Sequence, residues 1–390
     1  MKILLIILLL TSSIAVYAVD FGCIFTLIDP SATNTALGLF AGGANIWNQN
    51  PLDVWSNPAK LGYFKGISYS YSHDKCLEFF GDDKYFYSSY LTVGWKGLGI
   101  MLPLKNGQSK YGTSIDNGSQ YLYDEDAQLI GIFNSWESSS GFAIGMNILE
   151  FYAAISNNDK ITKLQPFTDF SLGYNYNHII SDLSPDNLGE GLKGSGSSYI
   201  DGLGMILRVS PLNDSNYLNF SFFKAEAVFS LYYRNISRTN IAYVNEVQHD
   251  PLPFSTDSAV SFRLAMSIDY FKDMISTDFY DVISTFCQDV VSLNYYMGIS
   301  DFMDEFENNG YSYDLTFLDL IAIRLGYCDD EVNDVSGRTP GIGLKLSYKD
   351  IMHLQYNFAK YPDGSYQIFK YRQDFMLNVD LFKLFSKQAR

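Results

Sequence analysis

The chain has 390 residues, a formal net charge of −16 at pH 7 and an aromatic content of 16%. This acidity argues against a nucleic-acid-binding protein, which needs basic patches. Beyond the first residues no segment has 18 consecutive apolar side chains, which argues against a helical membrane protein.

The first residues have the layout of a secretory signal peptide. Lys2 precedes an apolar run from Ile3 to Leu10, and Val16-Tyr17-Ala18 places a small side chain just before Val19. A transmembrane helix needs roughly 20 apolar residues, which is more than this run contains. We therefore predict that residues 1–18 are a signal peptide and that the chain is exported.

Residues 19–64 form an N-terminal segment ahead of the first predicted strand. From Ala32 to Gly62 the side chains are mostly small and glycine is frequent, which does not suit a lipid-facing strand. The pattern predicts a short helix from Thr35, followed by tight turns. A segment of this shape could fold inside the lumen of a barrel, and we call it the hatch.

Between residues 65 and 385, apolar side chains recur at every second position. The clearest run extends from Val260 to Tyr270, and the residues between its apolar positions are Ser261, Arg263, Ala265, Ser267 and Asp269. Since residues i and i+2 of a strand share a face, each run has one apolar and one polar face. Other alternating runs lie near residues 67–71, 86–96, 97–103, 126–136, 141–148, 170–177, 199–210, 216–233, 290–298, 317–327, 342–348, 352–359 and 373–382.

These runs predict an all-β fold, an antiparallel transmembrane β-barrel of about 14 strands with the hatch inside its lumen. An even number of strands fits closure of an antiparallel barrel, whose apolar faces would contact lipid while the polar faces line the interior. A soluble exported β-protein is the alternative, and it would need a second sheet to cover the apolar faces. Residues 386–390 would be a short periplasmic tail.

Several ionisable side chains are predicted to face the lumen. Arg208, Arg263 and Arg324 lie on the polar faces of their runs and so avoid lipid, where an Arg costs about 2–4 kcal/mol at the midplane. His353 would also face the lumen, as a hydrogen-bonded interior side chain. Acidic groups between strands, such as Asp82-Asp83, are interpreted as solvated loops, with divalent-cation binding as the less favoured alternative. We predict no resident metal and no cofactor.

Loop lengths predict the orientation, because bacterial barrels pair short periplasmic turns with longer external loops. The turn at Lys349-Asp350 and the tight connections near Gly97 and Ser138 are assigned to the periplasmic side. Between residues 180 and 257 long connections also fall on that side, so either a strand is misread or the 216–233 run contains two strands. The connections assigned to the outside are 74–85, 104–125, 152–165, 328–337 and 361–370.

Apolar residues from Phe271 to Phe286 recur at helical spacing and predict an amphipathic helix. We place it beyond the outer end of the strand that starts at Val260. Its expected role is to pack over the rim of the barrel, and the alternative is an apolar landing site for a ligand or partner.

Four cysteines in an exported chain permit disulfides. Cys287 and Cys328 fall at the outer ends of neighbouring predicted strands, so a disulfide between them is the pairing to test first, with free thiols equally open. Lipid attachment at Cys23 is disfavoured, because Asp20 lies where lipoprotein signals carry aliphatic residues.

Two parts of the chain resemble a known family. The hatch resembles that of FadL-superfamily outer-membrane proteins, particularly the PorV/PorQ-like branch, in Ala36-Leu37-Gly38, Gly42-Gly43-Ala44 and Asn57-Pro58-Ala59-Lys60-Leu61. The carboxyl third is similar to the same branch in Ile323–Tyr327, Pro340–Leu344 and Leu354–Ala359. The likeness covers residues 32–73 and 316–384. The chain departs from the pattern at its end, which is not a terminal aromatic residue.

The resemblance implies a place in the bacterial outer membrane, contact with its lipids, and two classes of function. PorV-like barrels serve type IX protein secretion or surface assembly, which implies secreted proteins or secretion components as partners, and this is our first prediction. FadL-like barrels pass hydrophobic small molecules through a hatch-plugged lumen and sideways into the membrane, which is the alternative. In that case the candidates for a gate are Gly38, Gly42, Gly43, Asn57, Pro58 and Ala59, although Asn57 can simply cap a turn that Pro58 stiffens.

An enzyme is not expected, and we name no catalytic residue. The four histidines lie in separate segments, without a nucleophile motif such as Gly-x-Ser-x-Gly beside them. The glycine-rich stretch Gly191–Ser198 lacks the spacing of a phosphate-binding loop and is interpreted as flexible.

Overall fold

The computed structural model describes residues 23–76, 83–123, 128–156, 164, 166–185, 194–210, 223–245, 249–332, 335–349, 351–362 and 368–386. The predicted signal peptide and residues 387–390 of the predicted tail lie outside the described residues, as do residues 191–193 of the glycine-rich stretch. The rest of that stretch was wrongly interpreted as flexible, because β7 begins at Ser195.

Antiparallel strands form one closed sheet. The strands are β1 (Gly66–Lys75), β2 (Tyr85–Trp95), β3 (Leu98–Pro103), β4 (Gly112–Tyr123), β5 (Leu129–Asn147), β6 (Thr168–Asp182), β7 (Ser195–Val209), β8 (Phe223–Arg234), β9 (Asn240–Tyr243), β10 (Asp250–Pro251), β11 (Ser255–Ser267), β12 (Asp289–Phe302), β13 (Phe306–Phe317), β14 (Ile321–Asp330), β15 (Val335–Tyr348), β16 (Met352–Lys360) and β17 (Tyr371–Val379).

The sheet closes because β1 pairs with β17, with Ile67 opposite Val379. β3 and β4 occupy one position in the wall, since both pair with β2 on one side and β5 on the other. The short strands β9 and β10 pair with each other, and β9 also pairs with the beginning of β7. The described residues therefore form a wall of 14 strand positions, which confirms the predicted transmembrane β-barrel.

The two faces of the wall differ as the alternation predicts. In β1, Ser68, Ser70 and Ser72 are buried toward the lumen. On the outside, Leu325 and Leu346 are each 61% exposed. An apolar outer face of this kind suits contact with lipid.

We call the end of the barrel at which β1 begins and β17 finishes the terminal end, and we call the opposite end the distal end. The turn at Lys349 lies at the terminal end, between β15 and β16.

Short helices fill the lumen and edge the terminal end. In the lumen, α1 (Ala32–Ala36) begins earlier than predicted, because the Ser31 hydroxyl accepts a hydrogen bond from Asn34 N. It is joined there by 3-10 helices at Ile24–Leu27, Gly42–Ala44, Pro51–Ser56 and Pro58–Tyr63. At the terminal end lie α2 (Ile148–Ser156), the 3-10 turn Ile268–Phe271, α3 (Thr277–Phe286) and α4 (Leu381–Ser386). No helix in the described part of the chain is both long and apolar enough to cross a bilayer.

Two errors in the sequence prediction cancel in the strand count. The tight connection predicted near Ser138 is wrong, because β5 runs unbroken through it from Leu129 to Asn147. β13 was not predicted at all. Because neighbouring strands alternate in direction, dividing one strand or omitting another reverses the predicted direction of the strands next to it. The 152–165 connection and the 271–286 helix were therefore assigned to the wrong end, since α2 and α3 both lie at the terminal end.

The predicted Cys287–Cys328 disulfide is also wrong. Both residues are buried free thiols. Cys287 lies before β12 at the terminal end, whereas Cys328 pairs with Gly310, which itself faces Gly298 deep in β12. About ten strand residues, or roughly 30 Å along the strand direction, therefore separate Cys287 from Cys328. Buried Cys23, at the distal end of the lumen, has no room for a lipid.

Candidate functional site: the hatch and the lumen

The hatch lies directly against a row of glycines in the wall. Gly94, Gly99, Gly145, Gly173 and Gly204 are successive cross-strand partners. A Cβ on Gly145 would lie 2.6 Å from the carbonyl oxygen of Pro58, and one on Gly204 would meet the Asn57 side chain. Any larger side chain in this row would therefore push the hatch off the wall. Four more wall glycines approach residues 36–41 of the hatch, namely Gly298, Gly310, Gly326 and Gly341.

Asn57 joins the hatch to β8, the strand next to Gly204 of β7 in the wall. Its Oδ1 accepts a hydrogen bond from Ala59 N at 2.9 Å and so caps the helix that starts at Pro58. Its Nδ2 donates to Ser230 Oγ at 2.8 Å and lies 3.2 Å from the carbonyl oxygen of Leu231. The side chain is fully buried, so it acts both as a cap and as a contact to β8.

The other predicted gate residues are also packed closely. Gly38 has φ of +80°, and a Cβ there would lie 2.5 Å from the Tyr327 carbonyl oxygen. The Gly42 carbonyl accepts from Lys60 Nζ at 3.2 Å, and a Cβ on Gly43 would lie 3.0 Å from Ser230 Oγ. The Ala59 carbonyl accepts from Ser171 Oγ at 2.6 Å. These contacts fix the resting position of the hatch, and a gating role stays a prediction.

Three buried ionisable groups lie within the hatch. Burial raises the pKa of Asp29 to about 6, although Ser31 N and Asn34 Nδ2 each donate to its carboxylate at 2.8 Å. Burial also raises the pKa of Asp53 and lowers the pKa of Lys60, while their mutual attraction opposes both shifts. Separating the hatch from the wall would bring water to all three groups.

Asp374 of β17 fastens α1 to the wall. Its Oδ2 accepts from Ala32 N at 2.8 Å, and its Oδ1 accepts from Asn50 Nδ2 at 3.0 Å. Asn357 Nδ2 on β16 also donates to Oδ1, at 2.6 Å. The hatch is therefore held by polar contacts to β17 on one side and to β8 on the other.

A polar cavity of about 520 Å³ opens at the terminal end of the lumen. The four predicted lumen residues Arg208, Arg263, Arg324 and His353 all line it. Each arginine is paired: Arg208 with Glu226 at 2.9 Å, Arg263 with Asp289 at 2.7 Å, and Arg324 with Asp314 at 3.5 Å. His353 Nδ1 lies 2.9 Å from Ser347 Oγ. This charged lining does not suit an apolar molecule.

The distal end of the lumen has an apolar cluster instead. Phe25 of the hatch packs there with wall residues that include Phe86, Ile115, Tyr243 and Phe369. A second, smaller cavity of about 70 Å³ lies between this cluster and the hatch.

One buried arginine borders that smaller cavity. Arg372 donates through Nε to Asp74 at 2.9 Å, and its Cζ lies 5.0 Å from the ring centre of Phe86 and 4.1 Å from that of Phe369. Its two terminal nitrogens have no hydrogen-bond partner among the described residues. The cavity therefore has a mixed lining, in which apolar side chains such as Leu39 and Phe302 alternate with charged ones such as Asp257 and Arg372.

The wall is interrupted at its third position. β5 pairs with β3 as far as Ala143 and with β4 from Ser139 onward. Among the described residues, 140–142 thus have no ladder partner on this side, a gap of roughly 10 Å along the strand. Behind the gap lies an apolar cluster contributed by both the hatch and the wall. Its members are Leu52, Val54, Trp55, Leu61, Phe64, Tyr90, Met101 and Ala143.

Residues 104–111, which we call the strap, connect β3 to β4 and lie on the outer face of the wall beside the gap. Leu104 N donates to the Ser89 carbonyl at 2.9 Å, and Asn106 Nδ2 donates to Ser114 Oγ at 2.8 Å. Lys110 Nζ lies 3.1 Å from the ring centre of Trp136, whose position in the alternation of β5 faces outward. The strap buries three outward-facing serines, Ser89, Ser114 and Ser138, which are at most 6% exposed.

Sequence reasoning missed both the gap and the strap. It assigned 104–125 to one external loop, although β4 starts again at Gly112. Pro103 at the end of β3, followed by Lys105, Asn106 and Gly107, was the signal for a break within a strand position, because proline cannot donate to a ladder.

No family model and no curated protein matches the chain. Among solved structures, it is similar to the toluene transporter TbuX of Ralstonia pickettii, with 10% identity over 91% of this chain and 99% of that one and a TM-score of 0.41. A FadL homologue of Pseudomonas aeruginosa has 8% identity over 88% and 95%, with a TM-score of 0.37. The ΔS2S3 mutant of TodX, a monoaromatic hydrocarbon channel, has 10% identity over 83% and 91%, with a TM-score of 0.37. All three scores lie below 0.5, so the functional argument rests on the geometry of this chain.

Proposed function

We propose that the protein is an outer-membrane channel that passes small hydrophobic molecules sideways into the membrane through the gap between β3 and β4. The observation that carries this proposal is the coincidence of that gap with an apolar cluster inside the lumen. Elsewhere, opening the wall would leave backbone N–H and C=O groups unpaired in lipid, at several kcal/mol each. At the gap the ladder to β5 is already absent among the described residues.

The electrostatics of the lumen favour the same route. A molecule that left through the terminal-end cavity would pass the ion pairs of Arg208, Arg263 and Arg324. Apolar cargo gains nothing there, whereas Trp55, Leu61 and the lipid beyond the gap offer it apolar surroundings. The strap borders this path on its outer side, and we propose that the strap moves when cargo passes.

Locking the strap tests the proposal. Cells carrying the double variant Lys110→Cys/Trp136→Cys would be treated with a short bis-maleimide, and the entry of the hydrophobic dye N-phenyl-1-naphthylamine would be followed by its fluorescence. The untreated variant should admit more dye than cells that lack the protein. Cross-linking the strap should remove this excess dye entry. The matched control is Ile323→Cys/Ile342→Cys, an outward cross-strand pair in the unbroken wall between β14 and β15. Equal dye entry with the strap locked and unlocked, or none above cells without the protein, would refute lateral release.

The role in type IX secretion or surface assembly stays a prediction from sequence, as does the PorV/PorQ branch. In the described residues we find no feature that points to an exported protein as cargo. We also propose that the protein is not an enzyme, because the buried polar groups of the hatch among the described residues serve to hold it against the wall.

A further inference from the structure

The helix α3 presents an apolar face that no part of the described chain covers. Phe279, Val282 and Phe286 follow the spacing i, i+3, i+7 and so share one face, and they are 52–56% exposed. Met274, in the turn before the helix, is 68% exposed, and no residue of α3 is buried. The helix therefore does not pack over the barrel rim with its apolar face, which was its expected role.

The position of α3 places this face beside the lipid-facing surface. Lys349 N donates to the Thr285 carbonyl at 2.8 Å, which ties the helix to the turn after β15. The ring of Phe286 lies 6.4 Å from that of Tyr348, the last outward-facing side chain of β15. In the adjacent turn Leu318 is 42% exposed, whereas Leu320 and Phe286 itself also border the polar cavity at the terminal end. The apolar surface of the barrel thus continues onto the helix.

The helix is also held in a fixed rotation. Ser276 Oγ accepts from Phe279 N at 3.4 Å, and Tyr280 OH donates to Asp269 Oδ1 at 2.5 Å. Thr277, Asp281 and Ser284 lie on the face opposite Phe279 and Val282, where they would meet water, whereas the exposed Asp278 lies one turn before Val282. With one face apolar and the opposite face polar, α3 has the form of a helix that lies in the plane of a membrane interface.

We propose that the apolar face of α3 lies in the headgroup layer of the lipid leaflet at the terminal end of the barrel. The continuity from Tyr348 to Phe286 argues for lipid as the occupant, because the barrel wall beside it is already in lipid. Asp278 and Asp281, with no Lys or Arg within the helix, argue for zwitterionic over anionic lipid. This proposal is independent of transport and holds whether or not the strap moves.

Depth-dependent quenching in vesicles tests the proposal. Val282→Cys would be labelled with an environment-sensitive dye after reconstitution into phosphatidylcholine vesicles at low protein density. The vesicles would carry a nitroxide either near the headgroup or deep in the acyl chains. Asp281→Cys is the matched control, since it changes the neighbouring residue on the opposite face. The wild-type protein, whose four cysteines are buried, gives the background labelling.

We expect the shallow nitroxide to quench the label at 282 at least threefold more strongly than the label at 281, and the deep nitroxide to quench both weakly. Equal quenching at the two positions would overturn the proposal. Burial of the 282 label that appears only at high protein density, or only after addition of an outer-membrane extract, would also overturn it. The face would then belong to a second copy or to another protein.

Discussion

Replacing Asn57 should loosen the hatch, because this one side chain both caps a helix and bonds to the wall. Asn57→Ala removes the cap on Ala59 N, which is worth about 1 kcal/mol. It also leaves the buried Ser230 hydroxyl without its donor, at about 1–3 kcal/mol. The sum of about 2–4 kcal/mol corresponds to an increase of roughly 30- to 1,000-fold in the population of undocked hatch.

Single-channel recording in planar bilayers measures this effect, because an undocked hatch opens an aqueous path from the terminal-end cavity. We expect rare openings of the unmodified protein to become frequent in Asn57→Ala. Asn134→Ala makes the same chemical change at an exposed position of β5 and should leave the record unchanged. If Asn57→Ala neither opens the channel nor lowers the unfolding midpoint, the hatch is not held by this residue and the argument fails.

Three further predictions concern the contacts of the hatch and the thiols. Gly145→Val should displace the hatch and raise conductance, because its Cβ would lie 2.6 Å from the Pro58 carbonyl oxygen, whereas Gly131→Val, with nothing within 4 Å of its Cβ, should not. The folded pKa of Asp29, about 6, lies above its ordinary value of 3.8, so the folded protein holds this proton more tightly and the carboxyl group stabilises the fold most below pH 3.8. That contribution, at most about 3 kcal/mol, is lost as the pH rises to 6. We therefore expect the difference in melting temperature between the wild type and Asp29→Asn to be smaller at pH 7 than at pH 4, to the advantage of the variant. Thiol titration of the unreduced, denatured protein should find four free thiols, and two would mean that the placement of Cys287 and Cys328 is wrong.

The barrel could be predicted from sequence because its alternation has a physical cause that each strand repeats. Lipid on one side and a polar lumen on the other impose a period of two on most of the wall. The rule fails where the outside is not lipid. Ser138 and Ser140 face outward in β5, and the strap covers Ser138. Serine therefore occurs on both faces of the strand at this point, and the sequence pattern was taken for a turn.

The ends of the strands and the cysteines could not be predicted in the same way. Loop length did not distinguish the two ends of the barrel, since β5 ends and β6 begins at the terminal end with 20 residues between them, and the two-residue turn at Lys96-Gly97 lies at the same end. Missing one strand reverses the direction of its neighbours, and an error of direction moves a residue such as Cys287 by the full height of the strand. Pairings between distant residues depend on every intervening strand and are therefore the least secure inference.

The composition of the lumen face now has a specific explanation. Its glycines lie where the backbone of the hatch touches the wall, as at Gly145 and Gly173. Its polar residues lie where the hatch needs partners, as at Ser171 and Asp374. A lumen face rich in small polar residues is therefore a docking surface for the hatch and does not by itself describe a water-filled pore. A path for apolar cargo must lie where these polar contacts stop, and the described residues contain such a place behind the gap between β3 and β4.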